Sequence, residues 1–229
     1  MTKATAMPAS LSPILAATAP APLRAALEAF ATGAMLIVTD DDGRENEGDL
    51  IMAAVHCRPA DMAFIVRHTS GIVCTPLTPE IAARLDLPPM VARNDAPFAT
   101  AFTVSVDWRA GTTTGISAAD RCATVHGLAN PAAQPADFVR PGHIFPLVAR
   151  DGGVLERDGH TEAAVDLCRL TGLPPVGVIC ELVNDDGSVM RGADLAAFAA
   201  QHRLHRITIA DLILLRRVLE TGTAAIAAQ

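Results

Sequence analysis

The acidic run at residues 40–49, DDDGRENEGD, constrains the fold more than any other segment of this sequence. It contains six carboxylates and one Arg, and it directly follows the apolar stretch 35–38, which has the pattern of a buried strand. A second apolar stretch at residues 50–55 predicts another strand, so the run is anchored at both ends. Such dense oxygen ligands favour a Mg²⁺ and phosphate site, whereas a solvated acidic turn is the common alternative.

Composition narrows the class of protein. A chain of 229 residues with 50% hydrophobic content can bury one sizeable core, and we expect a single domain. The net charge of −7 argues against a nucleic-acid partner, because phosphate backbones demand clustered Lys and Arg. No segment reaches the roughly 18 consecutive apolar residues that a membrane span needs, so we expect no membrane partner.

The five cysteines are odd in number, scattered, and lack the C-x-x-C spacing of zinc or redox sites. This pattern indicates a reduced, cytoplasmic setting. Four of them lie among apolar neighbours and are predicted to be core residues, namely Cys57, Cys122, Cys168 and Cys180. The position of Cys74 stays open.

The two ends of the chain differ from its middle. Residues 1–22 are rich in Ala, Thr and Pro, and the prolines interrupt any continuous apolar signal sequence. We therefore predict a disordered leader at 1–22, a domain at 23–220 and a short tail at 221–229.

Helical and strand patterns alternate along the domain, without an internal repeat or linker, which indicates an α+β or α/β fold. Helices are predicted at 23–31, 59–68, from 78, from 117 to 128, from 161 and at 212–218. Strands are predicted at 34–39, 50–55, 71–75, 102–106, 143–148 and 175–183. The proline-rich stretch 87–101 is predicted to be a long irregular connection, of the kind that often carries function.

The segment DGHTE at residues 158–162 lies where a helix should begin. Arg157, Thr161 and the free backbone N–H groups of the first turn could together hold an anion. The alternative is that Thr161 only caps the helix and His160 is a surface residue.

Three other polar positions are ambiguous by themselves. His143 is a titratable group in a restricted loop, although a lone His is usually structural. Glu181 interrupts an apolar strand, so it is either an acid–base group with a shifted pKa or an edge glutamate that reaches water. The threonine-rich loop at residues 112–114 suits phosphate binding or plain turn chemistry.

The motifs RENEGD, HTSGIVC, TTGISAADR, RPGHIFPL, GHTEAAVDL and CELVNDDG occur in this order over residues 23–218. In this combination the sequence closely resembles the 3,4-dihydroxy-2-butanone 4-phosphate synthase family of riboflavin biosynthesis. The resemblance implies a single compact α+β domain with a mixed sheet and surrounding helices, in a homodimer with active sites near the interface. It also implies a lyase that converts D-ribulose 5-phosphate into L-3,4-dihydroxybutan-2-one 4-phosphate and formate.

The family's cofactor is Mg²⁺, with Mn²⁺ as a substitute and two ions per site, and it would stabilise an enediolate formed by acid–base catalysis. By motif, the resemblance assigns metal ligation to Glu45 and His160, and catalytic roles to His143, Glu181 and Asp49. It assigns substrate contacts to a larger set: Arg44, Glu45, Asp49, Thr114, Arg157, Asp158, Gly159, His160, Thr161 and Glu181. Asp158 in DGHTE and Thr69 in HTSG depart from the small residues of some relatives, without touching a proposed ligand.

Two rival functions share these residues. A Mg²⁺-dependent aldolase or isomerase would stop at the enediol and release no formate, whereas a noncatalytic sugar-phosphate sensor would not need Glu181 and His143 as proton carriers. We expect a monofunctional synthase whose acidic loop closes over the substrate as a lid.

Overall fold

The computed structural model describes residues 11–227. The helices are α1 (Pro13–Thr18), α2 (Ala21–Ala31), α3 (Pro59–His68), α4 (Pro79–Arg84), α5 (Ala118–Ala129), α6 (His160–Leu170), α7 (Gly192–His202) and α8 (Ile209–Ala227). The strands are β1 (Leu36–Thr39), β2 (Gly48–Ala53), β3 (Cys74–Leu77), β4 (Val106–Trp108), β5 (Phe138–Val148), β6 (Gly177–Glu181) and β7 (His205–Thr208).

The strands form one sheet in the order β4-β5-β3-β6-β2-β1-β7. The pairs β1–β7 and β3–β5 are parallel, whereas the other neighbouring pairs are antiparallel. The predicted α+β fold with a mixed sheet is therefore confirmed.

Alternating side chains of the central strands supply two separate hydrophobic cores. Ile37 and Leu50 pack on one face of the sheet with buried residues of α3, α5 and α7. Leu36 and Ile51 point to the opposite face, where they meet α2, α6 and α8. Because successive residues of a strand face opposite sides, one short apolar strand can serve both cores.

Two strands have different bounds from those predicted. β2 begins at Gly48, so Asp49 belongs to the sheet and not to the acidic loop, since its backbone pairs with Val38 on one side and Glu181 on the other. The strand predicted at 102–106 is reduced to isolated bridges at Phe102 and Thr103, and β4 starts at Val106.

The chain ends also differ from the prediction. Residues 1–10 lie outside the described part, but α1 forms within the expected leader, where the Ser12 side chain caps the helix and Leu15 is buried in the core that includes α8. α8 continues through most of the expected tail. The domain bounds 23–220 stay a prediction.

All five cysteines, at positions that the structure describes, are buried and free. The prediction that four of them are core residues is confirmed, and Cys74 joins them. Within residues 11–227, no helix combines the length and the apolar character needed to cross a bilayer.

Candidate active site

A cleft opens where β2 begins and β6 ends, beside the first turn of α6 and the loop at residues 40–47. Side chains from the acidic loop, the central strands, the irregular connection and α6 meet there: Arg44, Glu45, Glu47, Asp49, Cys74, Thr100, Phe102, Leu147, Arg157, His160, Thr161, Ile179 and Glu181. Most of the predicted site residues are thus brought together.

Asp49 and Glu181 form a carboxylate pair on the sheet. They are direct partners in the antiparallel β2–β6 ladder, so their side chains leave the same face. The Ser70 hydroxyl donates a hydrogen bond to Glu181 Oε2 at 2.6 Å. Asp49 is 3% exposed, and its buried Oδ1 has no hydrogen-bond partner among the described residues. Such an oxygen is costly to bury unless a ligand satisfies it.

His160 is the first residue of α6 and lies above this pair. Its Nε2 is 3.2 Å from the carbonyl oxygen of Val38 on β1. When Nε2–H donates to that carbonyl, Nδ1 is directed to the carboxylates, at 3.7 Å from Glu45 Oε2 and 3.9 Å from Asp49 Oδ1. A carbonyl that fixes the outer nitrogen of an imidazole is the usual arrangement behind a metal-binding His.

The acidic loop is organised by Asp40. Its carboxylate accepts hydrogen bonds from the backbone N–H groups of Glu45 and Glu47, at 2.9 and 2.8 Å, and from Arg44 Nη1 at 3.1 Å. Arg44 Nη1 also donates to Glu45 Oε2 at 2.5 Å. Asp40 is not one of the predicted site residues, yet it holds the loop in the shape that directs Glu45 into the cleft.

The electrostatics of the cleft favour a cation. Burial, with support from neighbouring carboxylates, raises the pKa of Asp49 to about 7 despite the opposing effect of His160. Burial alone would lower the pKa of His160, but the surrounding carboxylates outweigh it and raise that pKa to about 9. The nearby His160 imidazolium lowers the pKa of Glu45. Without a metal ion, protons therefore neutralise the charge concentrated here.

The residues fit a divalent ion. One ligand atom each from Asp40, Glu45 and His160 lie within 4.8 Å of one another, and the unpartnered Asp49 oxygen lies beside them. Carboxylate oxygens with one imidazole suit Mg²⁺ or Mn²⁺ better than a thiolate-seeking metal.

The guanidinium side chain of Arg157 also lines the cleft. Its Nη1 donates to buried Glu162 at 2.6 Å, and its Nη2 contacts the carbonyl of Phe98 and the hydroxyl of Thr100, at 3.1 and 3.3 Å. Thr161 follows on the first turn of α6. A fixed guanidinium beside a helix N-terminus is suited to an anionic group.

Two predicted substrate contacts lie outside the cleft wall. Asp158 is exposed at the rim, with its carboxylate 3.8 Å from Arg44 Nε. Gly159 is the N-cap of α6, where any side chain would collide with the guanidinium of Arg157. Neither residue lines the cavity: Asp158 lies beside Arg44, and Gly159 leaves room for the guanidinium of Arg157.

His143 and Thr114 belong to a second polar group, which we call the β5 cluster: Asp107, Thr114, Gly115 and His143. His143 Nδ1 is 2.6 Å from Asp107 Oδ2, and its backbone N–H donates to Asp107 Oδ1 at 2.8 Å. Gly115 passes so close to both side chains that a Cβ would collide with them. Among the described residues, neither His143 nor Thr114 lines the cleft of its own chain.

Sequence reasoning missed Asp107, Ser70 and Thr100. Ser70 lies within the quoted HTSG motif, which was the available signal. Asp107 follows an apolar strand without any distinguishing pattern, and Thr100 lies at the end of the irregular connection, so neither carried a signal of its own.

Comparison with known proteins agrees with this geometry. The model of one protein family, described as 3,4-dihydroxy-2-butanone 4-phosphate synthase, matches residues 24–215. The chain belongs to this family. It is 54% identical over 203 residues to the 3,4-dihydroxy-2-butanone 4-phosphate synthase of Pseudomonas aeruginosa, covering 89% of this chain and 56% of that protein. It is 52% identical over 190 residues to the synthase of Chromobacterium violaceum, covering 83% and 90%.

A solved synthase has the same fold. The crystal structure of a 3,4-dihydroxy-2-butanone 4-phosphate synthase in complex with two magnesium ions superimposes with a TM-score of 0.84 and 48% identity, covering 86% of this chain and 97% of that one. The chain spans about half the length of several curated relatives, for example 48% of the riboflavin biosynthesis protein RibBA of Salinispora arenicola.

Proposed function

We propose that this protein is a 3,4-dihydroxy-2-butanone 4-phosphate synthase, a lyase of riboflavin biosynthesis that acts on D-ribulose 5-phosphate in the cytoplasm. The carrying observation is the pairing of buried Asp49 with half-buried Glu181 on the sheet, beside a donor set of Glu45 and His160. Such a set can bind a divalent ion while carboxylates next to it move protons. The five-carbon substrate divides into the four-carbon ketone phosphate and formate, which together contain all of its atoms.

Glu45 and His160 would hold the Mg²⁺ or Mn²⁺, and Asp49 Oδ1, 3.9 Å from His160 Nδ1, would offer a further oxygen. A second ion per site would need additional oxygens from the acidic loop or the substrate; the related crystal structure is in complex with two magnesium ions. When bound, the metal supplies positive charge beside the substrate's carbonyl and hydroxyl oxygens. Arg157 and Thr161 would bind the phosphate and so fix the sugar chain along the cleft.

The carboxylates would carry the protons. Asp49 has a pKa of about 7, which allows it to accept or release a proton near neutral pH. Glu181 is oriented by Ser70 at the same edge of the sheet and can act on a neighbouring carbon of the chain. The loop with Arg44 and Glu45 would close over the substrate and exclude water from these steps.

We further propose a homodimer in which His143 and Thr114 of each chain complete the cleft of the other. His143 is aligned by Asp107 like a catalytic imidazole. The His143 side chain is 40% exposed, yet it does not line the cleft of its own chain. Exposed apolar side chains adjoin the β5 cluster: Ile116 follows Gly115 in the chain, and Val139 is the strand partner of Asp107. An isologous contact through this face would bury them and supply both clefts at once.

The deciding experiment is incubation of the purified protein with D-ribulose 5-phosphate and Mg²⁺, with formate and the four-carbon product measured by NMR. We expect one formate per substrate consumed, and no turnover in the presence of a chelator. Isomerised or cleaved sugar phosphate without formate would favour the aldolase or isomerase alternative. Binding of the substrate without turnover would favour the sensor alternative.

A further inference from the structure

Arg191 joins the segment before α7 to the loop that carries Glu45. Its Nε donates a 2.7 Å hydrogen bond to the carbonyl of Asn46, and its Nη2 contacts the carbonyl of Glu45 at 3.4 Å. Nη2 is also 3.6 Å from Glu47 Oε1. One guanidinium therefore contacts three consecutive residues, the two cleft-lining glutamates and Asn46 between them.

The loop needs such support at this point. Asn46 has a φ of +52°, in the left-handed region that only Gly, Asn and Asp adopt with ease. This conformation places Glu45 and Glu47 on the cleft side. Like charges brought together in this way repel one another. The two backbone hydrogen bonds that close the loop, from Arg44 N–H to the Asp41 carbonyl and from Asp40 N–H to the Glu47 carbonyl, do not involve the carbonyl of Glu45 or Asn46.

Two side chains hold this backbone from opposite sides. Asp40 accepts the N–H groups of Glu45 and Glu47, whereas Arg191 donates to the carbonyl groups of Glu45 and Asn46. The exposed ion pair with Glu47 contributes little, because the Arg191 side chain is 47% exposed. The two carbonyl contacts are therefore the determining ones, and they require the forked donor geometry of Arg.

We propose that Arg191 is a positioning residue for the metal site: it fixes the left-handed turn at Asn46 and so presents the Glu45 carboxylate opposite His160. This inference rests on the proposed function, since it assumes that Glu45 is a metal ligand. Arg191 itself touches neither the ion nor the substrate.

The test is a Mn²⁺ titration followed by electron paramagnetic resonance, on wild-type protein and three variants. We expect Arg191→Gln to weaken Mn²⁺ binding about tenfold, the usual effect of removing support behind a ligand. Arg191→Lys should show a smaller loss, because an ammonium group cannot contact both carbonyls. The matched control is Arg206→Gln, which makes the same charge change on β7. Arg206 is exposed and has no side-chain hydrogen bond or ion pair within the described part of the chain. The Mn²⁺ affinity of Arg206→Gln should therefore stay within about twofold of the wild-type value.

Amide hydrogen exchange of the metal-free proteins supplies the independent readout. Exchange at residues 45–47 should accelerate in Arg191→Gln and not in Arg206→Gln, while both keep the wild-type unfolding temperature. Unchanged exchange at 45–47 together with unchanged Mn²⁺ affinity in Arg191→Gln would overturn the inference. If wild-type protein bound no Mn²⁺, the proposed function would fail, and the exchange comparison would still decide whether Arg191 holds the turn.

Discussion

The cleft and the β5 cluster both place a His beside carboxylates, but in opposite environments. His160 is 6% exposed, and strong charge coupling raises its pKa to about 9. His143 is paired with one carboxylate, Asp107, at 2.6 Å, and its side chain is 40% exposed. The first imidazole is enclosed within its own chain, whereas the second faces outwards.

This difference assigns different tasks to the two regions. A buried imidazole among several carboxylates is suited to a cation, because a metal ion can replace the protons that neutralise it. An exposed imidazole aligned by one Asp is suited to proton transfer with a group that arrives from outside. The proposed metal ligands therefore all come from one chain, whereas His143 would act on a group outside the cleft of its own chain.

Loss of a metal ligand should have the largest effect. Glu45→Gln removes one carboxylate from the donor set, so we expect formate release to fall at least about 10³-fold, since a bound metal supplies several kcal/mol. Mn²⁺ affinity should fall in parallel when measured by titration. Normal affinity in this variant would show that the cleft is not the metal site.

Loss of the exposed imidazole should separate chemistry from metal binding. We expect His143→Ala to lower kcat about 10²-fold, the usual contribution of an acid–base group, with Mn²⁺ affinity unchanged. Asp107→Asn should give a smaller decrease, because the ring keeps its place but loses the charge that orients it. A drop in Mn²⁺ affinity on either change would contradict the separation of the two regions.

Proton competition in the cleft gives a pH prediction. The pKa of Asp49 is raised to about 7 and that of His160 to about 9, so the metal-free fold binds protons that the unfolded chain releases. The contribution of Asp49 to the free energy of unfolding is present at low pH and is lost as pH rises from about 4 to 7. The contribution of His160 is lost as pH rises from about 6.5 to 9.

Mn²⁺ should bind about tenfold more tightly per pH unit through neutrality, because binding displaces these protons. Chemical denaturation with and without Mn²⁺ measures both effects, and Asp49→Asn should flatten the lower part of the stability profile. A metal-free stability that increased from pH 6 to pH 9 would contradict the assignment.

The smallest effect is expected at Ser70. Ser70→Ala removes the 2.6 Å hydrogen bond to Glu181, and we expect kcat to fall about fivefold with KM unchanged, since one exposed hydrogen bond is modest. The matched control is Ser188→Ala, which removes a similar exposed hydroxyl that bonds Asp186. Equal rates for both variants would remove Ser70 from the catalytic arrangement.

Local sequence patterns predicted the elements that bury their own apolar residues. α3 was predicted at 59–68 and has these bounds, because Pro59 starts it and its apolar spacing defines one face. β7 was missed, since three of its four residues are exposed and only pairing with β1 makes it a strand. α7 and α1 were not predicted either, and both are short Ala-rich helices that depend on tertiary contacts.

The site was predicted mainly through its motifs. Glu45, Asp49, His160 and Glu181 do meet, although they come from three distant segments that only the sheet order brings together. The support provided by Asp40 and Arg191 could not be predicted, because hydrogen bonds to backbone groups leave no spacing pattern. The role proposed for His143 would depend on a contact between chains, which no pattern within one chain encodes.

Co-expression of Glu45→Gln and His143→Ala chains with different affinity tags, followed by purification of the mixed dimer, tests whether two chains share each site. Each parent variant alone should be nearly inactive. If His143 serves the partner's cleft, one of the two sites in the mixed dimer is intact, and formate release should reach about half that of the wild-type dimer. If both residues serve the same chain's cleft, every site carries a lesion, and the mixed dimer would be as inactive as its parents.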